Sequence, residues 1–134
     1  MNKLYLTWDD IDYAVKRLAN NIKASGIKVS AIKGLQRGGL IPAVMLSHLL
    51  DIPMIENKIV SSSVLIVDDI CDTGNTLLPY RQTNNPIVTI HYKTSALLEP
   101  NFWYKLADTN TWLVYPWEKP DADAVPDYLK RPIM

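Results

Sequence analysis

The chain has 134 residues, 48% of them hydrophobic, which is the size of one domain with a core of its own. Fourteen Lys and Arg side chains balance fourteen Asp and Glu and no basic block stands out, so no nucleic-acid partner is expected and any affinity for anions must be local. A single cysteine, Cys71, excludes an internal disulfide, no apolar run reaches the length of a membrane span, and MNKLYLTWDD lacks a signal peptide's apolar core; the expectation is a cytoplasmic protein with no transmembrane segment.

Thr7 followed by Asp10 resembles a capping box with Asp in place of Glu, and Ile11, Ala14, Val15, Leu18, Ala19 and Ile22 then recur at helical spacing up to a stop at Gly26. A strand is expected at Val29–Ile32. Gln36, Arg37, Gly38 and Gly39 fall between that strand and a helix over Leu40–Leu50, in which Pro42 suits the first turn. Their amides and the Arg37 guanidinium can converge on an anion, although from these residues alone a plain surface turn is the better reading. Ile52–Ile55 reads as a strand and Glu56 to Ser62 as a short polar connection.

The most informative stretch is Val64 to Leu77, VLIVDDICDTGNTL. Four apolar residues without alternation fit a strand covered on both faces of a parallel sheet. Asp68 and Asp69 follow, then a loop of Asp72, Thr73, Gly74, Asn75 and Thr76, with a helix expected from Leu77. Small polar residues there can bring amides and hydroxyls onto one phosphate. Three acids beside a phosphate cradle require something else in the ligand, such as sugar hydroxyls or a Mg²⁺ ion. Ile87–Tyr92 is the next strand.

This stretch resembles the signature of the type I phosphoribosyltransferases, which bind 5-phosphoribosyl-1-pyrophosphate (PRPP) through an apolar strand, an acidic pair and a D-T-G-x-T loop. YLTWDDI, LQRGGLIPAVMLSHLLDIP, VTIHYKTS and TNTWLVYPWE extend the resemblance to bacterial xanthine-guanine phosphoribosyltransferases over nearly the whole chain. The resemblance implies a single α/β domain over residues 1–134: a mainly parallel central sheet flanked by helices, with a small C-terminal hood formed from about residue 93 onward. It implies transfer of a phosphoribosyl group to N9 of a 6-oxopurine, as in purine salvage, with Mg²⁺ and release of pyrophosphate.

By the same resemblance, Asp72 to Thr76 hold the 5′-phosphate, Asp68 and Asp69 the ribose and metal (Asp69 as the metal ligand), and Arg37, Gly38 and Gly39 the pyrophosphate. Lys93 meets the exocyclic oxygen of the purine, Trp112 covers its ring, the backbone near Leu113 contacts its 2-position, and Asp72 is the general acid/base at N7. These roles make chemical sense, since Lys donates to a 6-oxo group and an aromatic face stacks on a purine. A homodimer or homotetramer is implied as well.

The chain departs from the family pattern in three places. Asn75 stands where relatives carry Gly, Gln36 where they often carry Ser, and residues 56–62 where they carry a long mobile loop that closes over PRPP. The short connection keeps open an alternative: a PRPP- or nucleotide-binding regulatory member of the fold, weakly active or inactive. Cys71 reads as space-filling, His48 and His91 as packing or surface residues, and Trp8, Trp103 and Trp117 as core or interface. Pro116 to Pro132 reads as a wrapped or loosely ordered tail.

Overall fold

In the computed structural model, which describes residues 2–120, the Thr7 hydroxyl accepts the Asp10 N–H at 3.1 Å, and the Asp10 carboxylate accepts the Thr7 N–H at 2.8 Å. The capping box therefore opens helix α1 (Trp8–Ser25) as expected. Ile11, Ala14, Val15, Leu18, Ala19 and Ile22 are all buried, and Gly26 ends the helix in the left-handed region.

Strands β2 (Ala31–Gly34), β3 (Val64–Cys71), β4 (Ile87–Tyr92) and β5 (Phe102–Leu106) form an all-parallel sheet in the order β2-β3-β4-β5. The pleat sends Ile32, Leu65, Val67, Val88 and Ile90 toward α1 and α2 (Leu40–Leu50), and Ala31, Val64, Ile66 and Ile87 toward Leu77 and Leu98. Both faces are covered, which is why the Val64–Val67 run of β3 is apolar without alternation and every residue of β4, Thr89 and His91 included, is buried. A second, two-stranded parallel sheet joins β1 (Asn2–Tyr5) to β6 (Thr111–Val114) and forms the hood.

Several details differ from expectation. The second strand lies at Ala31–Gly34, two residues beyond Val29–Ile32. The strand expected at Ile52–Ile55 is reduced to one bridge between Ile32 and Met54, flanked by hydrogen bonds from Ile32 N–H to the Pro53 carbonyl and from Ile55 N–H to the Ile32 carbonyl. Pro53 has no N–H to extend a ladder. β3 carries Asp68 and Asp69 within the strand instead of beyond its tip. The helix after the loop, α3 (Leu78–Gln82), has five residues, so its dipole adds little at the loop. Strands β1, β5 and β6 were not expected; β1 is exposed throughout and shows no buried face to betray it. Most of the segment expected as a tail lies outside the described residues. No helix among the described residues is long and apolar enough to cross a membrane.

Candidate active site

Parallel strands bring their carboxyl ends to one edge, where the connecting loops can converge. There, a cleft is lined by Asp68, Asp69, Ile70 and Cys71 of β3 and by Asp72, Thr73, Gly74, Thr76 and Leu77 of the following turn. Gln36 and Gly38 close one side, Lys93 another, and Thr111, Trp112, Leu113, Tyr115 and Glu118 of the hood a third. Elements far apart in sequence thus supply acids, a small-polar loop, a lysine and an indole to one space.

Within the acidic pair, the Asp69 N–H donates to Asp68 Oδ1 at 2.9 Å and the Ile70 N–H to Asp69 Oδ1 at 2.8 Å. Burial pushes the Asp69 carboxyl up to about 6, against the hydrogen bonds that favour its charged form. Gly38 lies directly on it: a Cβ at that position would sit 2.1 Å from Asp69 Oδ2. Gly39 is buried beneath, where a Cβ would stand 2.4 Å from the Val67 carbonyl oxygen, and its N–H donates to the Leu35 carbonyl at 2.8 Å. Arg37 is exposed at the head of the same turn, and the Gln36–Arg37 peptide is cis.

In the Asp72–Thr76 loop, the left-handed residue is Gly74, at φ +87 and packed on Leu97. Asn75 is not left-handed, so its side chain in place of Gly needs no special backbone tolerance; it is exposed, and its N–H donates to Thr73 Oγ1. Lys93 follows β4, with its N–H donating to the Cys71 carbonyl at 3.0 Å and its ammonium 3.1 Å from Asp72 Oδ1. The Lys93 side chain is 9% exposed, so the pair is well shielded on the lysine side. Cys71 donates to the Leu98 carbonyl, and burial pushes its thiol up to about 11, which fits the space-filling reading.

His48 is exposed on α2, whereas His91 is buried. Burial, with Lys105 adding to it, pushes His91 down to about 4, and its Nδ1 lies 2.9 Å from the Tyr115 hydroxyl. Among the described residues no three His, Cys, Asp or Glu side chains are grouped to hold a metal alone. Asp68 and Asp69 nevertheless fit Mg²⁺, which takes one or two carboxylates and completes its shell with ligand oxygens.

No family model matches the chain. It is 28% identical over 142 residues to the xanthine-guanine phosphoribosyltransferase of Idiomarina loihiensis, with 87% of each chain covered. It is 32% identical to the purine phosphoribosyltransferase of Pyrococcus horikoshii, covering 89% of this chain and 96% of that one, with a TM-score of 0.75. The chain belongs to the type I phosphoribosyltransferases. The xanthine-guanine-hypoxanthine phosphoribosyltransferase of Helicobacter pylori, at 20% identity and a TM-score of 0.74, shares the fold.

In this phosphoribosyltransferase the structure brings together Asp68, Asp69, Asp72, Thr73, Gly74, Thr76, Gly38, Lys93, Trp112 and Leu113 as cleft-lining residues. Arg37, Gly39 and Asn75 do not line it in this conformation. Tyr115, Thr111 and Ile70 were missed from the sequence. Tyr115 had a readable signal, a tyrosine directly after the strand that carries Trp112, but its partner Asp69 lies 46 positions upstream.

Proposed function

We propose that this phosphoribosyltransferase moves the 5-phosphoribosyl group of PRPP to N9 of a 6-oxopurine and releases pyrophosphate, with Mg²⁺, as in purine salvage. The observation that carries this reading is the Lys93–Asp72 pair at 3.1 Å, in one cleft with the small-polar loop and the acidic pair. A 6-oxopurine offers O6 and N7 on one edge, so a lysine donor and a neighbouring carboxylate match it, whereas the 6-amino group of adenine would present a donor to a donor.

The proposed roles follow from position. The loop from Asp72 to Thr76 takes the 5′-phosphate, and Asp68 and Asp69 face the ribose hydroxyls. Arg37, Gly38 and Gly39 form the turn toward the pyrophosphate, with Arg37 as its charge. Trp112 covers the ring and the backbone at Leu113 meets its 2-position. As N9 attacks the anomeric carbon and the bond to pyrophosphate breaks, positive charge builds on the ribose beside the two aspartates, and Asp72 takes the proton leaving N7. Asp69, with Asp68 beside it, would hold Mg²⁺, which neutralises charge on the leaving pyrophosphate when bound. The same proposal takes residues 1–134 as one domain with a hood from about residue 93, in a cytoplasmic homodimer or homotetramer.

Incubation with Mg²⁺, PRPP and each of guanine, xanthine, hypoxanthine and adenine tests it: nucleotide and pyrophosphate should appear with 6-oxopurines and not with adenine. No product with any base overturns the reading. One observation favours a second reading, a PRPP- or nucleotide-binding regulator. None of residues 56–62 lines the cleft, and Lys33 donates to the Asn57 carbonyl, holding that connection to β2. PRPP binding without turnover would select it.

A further inference from the structure

Asp69 stands at a break in the sheet. The ladder between β2 and β3 ends at Gly34↔Val67, and the register between β3 and β4 passes from Asp68↔Thr89 to Ile70↔His91 with no partner for Asp69 among the described residues. Asp69 is half-buried, and its backbone groups have partners outside the strand ladders. Its N–H donates to the Asp68 carboxylate at 2.9 Å, and its carbonyl accepts the Tyr115 hydroxyl at 3.2 Å.

Tyr115 is itself tightly placed. Its N–H donates to Glu118 Oε1 at 2.8 Å and its carbonyl accepts the Glu118 N–H at 2.9 Å. Its ring stacks on Trp117 at 4.9 Å with an interplanar angle of 7°. Since its one hydroxyl proton goes to Asp69, the oxygen accepts from His91, which fixes the proton of that imidazole on Nδ1. His91 lies in β4, where its carbonyl accepts the Thr89 hydroxyl at 2.8 Å.

We infer that Tyr115, backed by His91, is the positioning residue for Asp69, bracing it where the β3–β4 ladder skips one pair and tying the base-covering hood to the ribose side of the cleft. It touches no reacting atom; it sets the direction in which the Asp69 carboxylate faces. Trp112 and Leu113 lie in β6, three and two residues before it, so the hood that receives the base and the carboxylate that receives PRPP share one hydrogen-bonded link. The inference rests on the proposed PRPP site.

The test separates positioning from general damage. In the full chain, Tyr115→Phe removes the hydroxyl, His91→Leu removes the donor behind it, and His91→Asn restores an N–H near the Nδ1 position. Tyr115→Phe should raise the KM for PRPP about fivefold to tenfold, the size of one hydrogen bond, with the KM for the base within about twofold. His91→Leu should move the PRPP constant the same way and His91→Asn should bring it back. The same ranking should appear in PRPP titrations read by tryptophan fluorescence without base, which keeps the test open for a variant with little turnover. An unchanged PRPP constant in Tyr115→Phe, equal losses for PRPP and base, or no difference between the two His91 variants overturns the assignment. Absence of PRPP binding by the unsubstituted protein overturns the PRPP reading itself.

Discussion

The Lys93 ammonium lies 3.1 Å from Asp72 Oδ1, so the two groups proposed to read O6 and N7 on one edge of the purine are aimed at each other. Lys93 is held by its backbone bond to Cys71 at the end of β3, and Asp72 is the next residue after that strand. The pairing therefore follows from the register of β3 with β4, which sets Cys71 opposite Tyr92 and delivers both side chains to the same edge. A base that enters must share Lys93 with Asp72, which favours ligands offering an acceptor to the lysine and a proton to the carboxylate.

Lys93→Ala should raise the KM for the 6-oxopurine by roughly tenfold or more while moving the KM for PRPP little, because of the two substrates the lysine is proposed to meet only the base. Discrimination against adenine should shrink in the same variant. Steady-state kinetics with each substrate varied in turn measures both; equal rises in the two KM values would remove Lys93 from base recognition.

Asp72→Asn keeps shape and hydrogen-bonding capacity but removes the group that accepts a proton. The substitution should leave the chain folded, with a lower melting temperature because the shielded Lys93 ammonium loses its counter-charge, and lower kcat by about 10²- to 10⁴-fold. Single-turnover measurement at saturating PRPP and base isolates the chemical step, and retained turnover there would exclude proton handling by Asp72.

Gly38→Ala tests the contact between the R-G-G turn and the acidic pair. The added methyl would meet Asp69 Oδ2 at 2.1 Å and Cγ at 2.6 Å, so the carboxyl must swing away or the turn must lift. Displacement on the scale of an ångström at a reacting centre costs up to roughly a hundredfold. The expected outcome is a loss of kcat/KM for PRPP of that order with base binding largely kept. Circular dichroism checks that the fold survives, and unchanged PRPP kinetics would show that the Asp69 carboxyl position is immaterial.

Local signals were legible where neighbours in sequence decide the structure. Thr7 with Asp10 and the stripe from Ile11 to Ile22 gave α1, and the unbroken apolar run Val64–Val67 gave the buried strand β3, because capping and burial on both faces leave their mark on adjacent residues. The motif around Asp68 to Thr76 was legible for the same reason. Strand β1 was not, since its partner β6 lies more than a hundred positions away and neither face of β1 is buried. Pro53 cut the expected strand at Ile52–Ile55 to a single bridge, and only the packing of that edge shows it. At the site, Tyr115 stayed hidden because its function depends on a gap in a ladder at Asp69, a property of strand pairing and not of either residue's type.

His91 gives the chain a predictable response to acid. Burial, with Lys105 across the β4–β5 ladder adding to it, lowers its folded-state value from 6.5 to about 4. Between those values the unfolded chain binds a proton that the folded chain refuses, so this residue's contribution is fully present above about pH 6.5 and is lost as pH falls toward 4. The full effect of a shift of that size is about 3 kcal/mol, approached only near the lower limit. His91→Asn keeps a donor toward the Tyr115 hydroxyl and removes the titration. Urea unfolding from pH 7.5 down to 4.5 should show the unsubstituted chain losing stability faster than His91→Asn below pH 6.5, with the two curves parallel above it. Equal slopes across the whole range would mean that His91 is protonated in the folded protein, and the neutral imidazole donating from Nδ1 to Tyr115 would have to be abandoned.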